Sequence, residues 1–150
     1  MKYSFCKNLS FSLLSMSLLL PYSALAINTS LIVNLPAEKL NWKVTPEGAA
    51  FAALEGDRFK GPYMAMVKLP AGITSPMHVK SANMYGMVIS GTFSHIAKDA
   101  KLSSEIQLPA GSYYMIPANL PHISKCISKV ECVSFLYQDG KFDFITELKQ

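Results

Sequence analysis

Beyond residue 27 the chain holds no long stretch of apolar residues at helical spacing; they come in short runs that Gly and Pro cut off. The runs occupy residues 30–34, 49–54, 63–69, 75–80, 84–90, 92–97, 104–108, 112–116, 122–127, 131–138 and 142–147. Between them stand turn signals: Glu55-Gly56-Asp57, Lys60-Gly61-Pro62, Pro70-Ala71-Gly72, Pro109-Ala110-Gly111 and Asp139-Gly140. Segments this short are strand-sized, and many of them joined by tight turns bury their apolar sides only by forming a sandwich or closing into a barrel. An all-β fold is therefore predicted. The two Pro-Ala-Gly turns, each leading toward a histidine, are the nearest thing to an internal repeat.

The first residues follow a different logic. Lys2 and Lys7 supply a positive start, FSLLSMSLLL a mostly apolar run, Pro21 a break, and Ala24-Leu25-Ala26 a small-x-small cleavage site. The apolar run is shorter than the roughly 20 residues that span a bilayer. Residues 1–26 are thus expected to be a signal peptide and residues 27–150 a single domain. The destination is exported, periplasmic or secreted, with no stable membrane anchor after cleavage and no lipobox around Cys6. Loss of Lys2 and Lys7 lowers the formal charge from +4 to +2. The remaining lysines are scattered singly, with no basic stripe interleaved with aromatics, which argues against nucleic acid as a partner. Two cysteines remain, Cys126 and Cys132, an even pair in an oxidising compartment. Placed on either side of a short turn, they are expected to form a structural disulfide that clamps the strand carrying His122.

Two spaced motifs carry a family resemblance. Gly72 is followed by five residues, then His78, Val79, Lys80, three residues, Met84, six residues and Gly91. Gly111 leads in the same way to Pro117, Asn119, His122 and Cys126. This pattern resembles the cupins, whose motifs read G-x5-H-x-H-x3/4-E-x6-G and G-x5-P-x-G-x2-H-x3-N. GSYYMIPANLPH and YQDGKFDF are further similar to exported members of that superfamily. The resemblance implies a double-stranded β-helix, a jelly-roll barrel. It also implies a pocket lined at the motif positions, and a homodimer as a common assembly.

In metal-binding cupins the motif positions hold one divalent ion. Here they are His78, Lys80, Met84 and His122. An ammonium about 4 Å from a dication opposes it by on the order of 8 kcal/mol at an effective dielectric of 20, and a thioether is a poor ligand for hard ions. No metal cofactor is favoured. Were one present, His78, His122 and Met84 would be its ligands, with His95 as a less favoured fourth. A soft Cu(I) site would suit thioether and imidazole, but Met64, Met66, Met77, Met84, Met87 and Met115 fill apolar space equally well. His95 itself reads as a surface or hydrogen-bonded strand histidine unless its strand turns that face inward. Without a metal, His78, Lys80 and His122 form a donor-rich cluster in an apolar barrel, with Met84, Tyr85 and Tyr114 packing the rest of a small, anionic ligand. The competing classes are a metal-dependent cupin enzyme of oxygenase or isomerase type and a non-catalytic dimeric structural module. Whether any reaction is catalysed is left open by the residues, since no acidic partner stands at the motif positions.

Overall fold

The computed structural model of the protein describes residues 32–101 and 104–146. The leader expected at residues 1–26, with Cys6, lies outside them. So do the ends of the runs expected at 30–34 and 142–147.

From Leu35 the chain is built from strands, preceded by one 3-10 turn at Ala37–Lys39. The strands are β1 (Trp42–Val44), β2 (Ala50–Glu55), β3 (Tyr63–Leu69), β4 (His78–Val79), β5 (Met84–Ser90) and β6 (Thr92–Ala97). They continue with β7 (Leu108–Pro109), β8 (Tyr113–Ile116), β9 (His122–Cys126), β10 (Cys132–Gln138) and β11 (Ile145–Thr146). They form two antiparallel sheets, ordered β1-β2-β3-β10-β5-β8 and β11-β4-β9-β6-β7. This is the jelly-roll architecture of a cupin barrel.

Side-chain alternation decides what faces the interior. In β10 every second residue is buried, so Ser134, Leu136 and Gln138 point in while Val133, Phe135 and Tyr137 point out. The ladders carry that parity to the neighbouring strands: Leu136 pairs with Ala65 and Gly86, and Gly86 with Tyr114. Val88, Phe93, Ile116 and Leu136 form the core with Phe51 and Val67. Each such side chain, fully buried, stabilises the fold by roughly 1.5–3 kcal/mol. Gly86 has a specific task, because a Cβ there would overlap the ring of Tyr114.

Three sequence expectations are corrected. The expected strand at 75–80 forms only at His78–Val79, Ser75 making a single backbone bond to Ser124 O, and that at 104–108 forms only at its end, Ser104 closing a tight turn on Lys101 O instead. Residues 32–34 form no strand, whereas Trp42–Val44, too short to show a period, adds an edge to the larger sheet. Asn119 occupies the position at which the cupin motif carries glycine. Its φ of 61° explains the residue type, since Asn is among the few side chains that tolerate the left-handed region.

Candidate functional site

Between the two sheets lies a partly open cavity of about 130 Å³. Phe51, Val67, Leu69, Phe93 and Leu136 give it apolar walls, and Met84 and Tyr114 line it as expected from the sequence. Of the six methionines named from the sequence, Met84 alone lines it. Tyr85 does not: one residue along β5 from Met84 it takes the opposite face, stacked on Tyr137 at 5.9 Å. His95 turns inward instead of outward. It lines the cavity 4.4 Å from the Tyr114 ring, with its Nδ1 2.9 Å from Ser124 Oγ.

His78 and His122 are register partners across β4 and β9, their rings 4.2 Å apart. Both are buried, but only His78 lines the cavity, and each is oriented through its own chain. His78 Nδ1–H donates to Pro76 O at 3.0 Å, and His122 Nδ1–H donates to Leu120 O at 2.8 Å. Desolvation lowers the pKa of all three histidines, His78 to about 4 and His95 to about 3, with lesser parts from the other histidines at His78 and His95 and from the Lys80 ammonium at His78 and His122. They are neutral imidazoles at physiological pH.

Lys80 stands on the extension of β4, where a metal-binding cupin carries its second histidine. Its Nζ donates to Asp143 O at 2.7 Å and sits 4.4 Å above the Phe142 ring and 5.4 Å from that of Phe144. These partners belong to the segment that leaves β10 at the Asp139-Gly140 turn and crosses to the smaller sheet at β11. We call this segment the strap. Phe142 meets Phe51 edge-on at 5.3 Å, Phe144 stacks on His78 at 4.2 Å, and both line the cavity. The Asp143 carboxylate accepts from Ser81 N at 3.0 Å, and Asp139 fixes Asn83 through its backbone N–H and its side-chain amide. Arg58 lies 4.9 Å over the Phe142 ring. Burial pushes the Lys80 pKa down to about 8, against the opposing pull of Asp143 and Glu47.

The sequence reading missed the strap and Glu47, which also lines the cavity. Phe142 and Phe144 were readable as same-face residues by their spacing of two. Nothing local indicated that this face closes the cavity.

Lys80 places an ammonium at one ligand position, Met84 supplies no charge, and no three His, Cys, Asp or Glu side chains converge among the described residues. Cys126 and Cys132 stand at disulfide distance, Cα atoms 5.7 Å apart, across the turn between β9 and β10. No helix among the described residues is long and apolar enough to cross a membrane.

Over residues 24–145 the chain matches the model of a family described as a domain of unknown function (DUF4437). No curated protein matches it. Among solved structures it is similar to the cupin domain of Schizosaccharomyces pombe Cnp3, at 15% identity and a TM-score of 0.58 over 73% of this chain and 74% of that one. It is similar to KdgF from Halomonas sp. at 14% identity and a TM-score of 0.57, over 73% and 94%. A third similar structure is an RmlC-like cupin protein from Ralstonia eutropha JMP134, at 18% identity and a TM-score of 0.57 over 72% and 68%. These likenesses establish the fold alone.

Proposed function

The chain belongs to the DUF4437 family and has the cupin fold, and from its interior we propose that it binds a small, largely apolar molecule bearing one anionic group. The observation that carries this reading is the ammonium of Lys80 held at an apolar cavity wall. One of its three N–H groups is committed to Asp143 O, which leaves two able to face a carboxylate. The size suits a ring-sized ligand, since a cavity of about 150 Å³ accepts benzene. Export to an oxidising compartment is part of the proposal, supported by the Cys126–Cys132 pair. So is a homodimer, supported by the outer face of the larger sheet, where Met64, Met87, Ile89, Tyr113 and Met115 are exposed.

Titration calorimetry with benzoate at pH 7 tests the ligand reading. Benzoate should bind, and Lys80→Met should weaken it about tenfold to a hundredfold, the scale of one charge-assisted hydrogen bond. Equal binding by the variant would reject the anion site. Purification with near-stoichiometric manganese, iron, nickel or zinc that His78→Ala abolishes would put a metalloenzyme in its place.

A further inference from the structure

The histidines add a demand that Lys80 does not meet. A carbonyl oxygen can only accept, so the contacts to Pro76 O and Leu120 O place the ring proton of His78 and of His122 on Nδ1. In a neutral ring Nε2 then carries a lone pair. His78 lines the cavity, whereas His122, whose Nε2 is buried without a partner, does not. The third ring is less constrained. His95 Nδ1 meets a hydroxyl, Ser124 Oγ, which donates or accepts, so its buried and unpartnered Nε2 can take either role.

A bare carboxylate is a poor occupant for this end of the cavity, because it would set acceptor against acceptor. An amine could donate but, once protonated, could not accept from His95. A hydroxyl does both. A metal ion would also use lone pairs, but among the described residues no three His, Cys, Asp or Glu side chains are placed to hold one. We infer that the ligand presents a hydroxyl to the histidine end of the cavity, donating to His78 Nε2 and able to accept from His95, both of which line it. The pocket would then select hydroxylated ring compounds over their methylated or unsubstituted counterparts. The inference rests on reading the cavity as a ligand site, but not on the anion at Lys80.

Phenol, anisole and benzene serve as probes on the full protein at pH 7, beside benzoate. Histidine 15N spectra report the tautomers directly. His78 and His122 should show protonated Nδ1 and bare Nε2, and phenol should shift an Nε2 resonance that anisole leaves in place. Phenol should bind about tenfold more tightly than anisole or benzene, the worth of one buried hydrogen bond. Protonated Nε2 on His78, or anisole binding as tightly as phenol, overturns the inference. Phenol selectivity without benzoate binding removes the anion reading and leaves the hydroxyl inference standing. Benzoate binding without phenol selectivity does the reverse, and failure of every probe rejects both.

Discussion

Replacing Lys80 by Met tests whether the former ligand position has become a buried cation that ties down the strap. Lys80 is 8% exposed, and its pKa falls from 10.5 to about 8, chiefly by desolvation. Because the folded value lies below the unfolded one, the unfolded chain holds more protons between pH 8 and 10.5. Stability contributed by this group therefore rises with pH across that window. At about 1.36 kcal/mol per unit the full span is worth about 3 kcal/mol, of which about 2.5 kcal/mol falls between pH 7 and 10. The tyrosines also titrate at high pH, Tyr63 and Tyr114 both being raised by burial, but they are common to wild type and variant. Urea denaturation of both proteins at pH 7, 8, 9 and 10 isolates the lysine as a difference of differences. The wild type should gain about 2 to 3 kcal/mol on the variant over that range. A flat difference would mean that the ammonium is solvated and not held over Phe142 against Asp143 O, and the strap anchorage would fall with it.

Acid should act through the histidines. His78, depressed to about 4 mainly by desolvation, resists protonation that the unfolded chain accepts near 6.5, so stability is lost as pH falls through that interval. His78→Gln should remove about 2 kcal/mol of the loss between pH 7 and 4.5, measured by urea midpoints; an unchanged acid limb would show that His78 titrates normally. Replacing Cys126 and Cys132 by Ser should cost about 2 kcal/mol for so short a loop, with the alkylation pattern of exported wild type showing no free thiol. Two alkylated thiols would reject the bond. Lys80→His combined with Met84→Glu should create Ni²⁺ binding visible by calorimetry, since it restores three histidines and a carboxylate at the motif positions. A folded double variant that binds no nickel would show that the strap keeps those side chains apart.

The motif spacing carried most of the architecture, because glycines and prolines fix where a strand must end. Strands β3, β5 and β6 fall where the runs of residues 63–69, 84–90 and 92–97 end and begin. Parity was less readable where both faces of a strand are covered. In β6 Phe93 faces the cavity, while Ser94 lies beneath Glu105, which accepts from its hydroxyl at 2.6 Å, and Ile96 is also buried. Alternation therefore gave no sign that His95 points in. Tyr85 failed for the opposite reason: it is amphipathic and adjoins Met84, but one step along a strand reverses the face. The strap was illegible because its role depends on contacts between residues far apart in sequence, Lys80 with Asp143 and Phe51 with Phe142.

If the proposed anion binds at Lys80, those distant contacts should couple binding to protonation. An anion reaching Lys80 need not displace Asp143 O, since the ammonium has three donors; it instead favours the charged form and lifts the pKa back toward its ordinary value. With a free-state pKa of about 8, roughly three-quarters of the lysines are neutral at pH 8.5 and about one-tenth at pH 7. Binding of benzoate should then take up about 0.7 proton at pH 8.5 and close to none at pH 7. Calorimetry in buffers of different ionisation enthalpy measures this uptake directly. Lys80→Met, if it retains weak binding, should show none at either pH. Benzoate bound at pH 8.5 without proton uptake would place its carboxylate elsewhere than at Lys80.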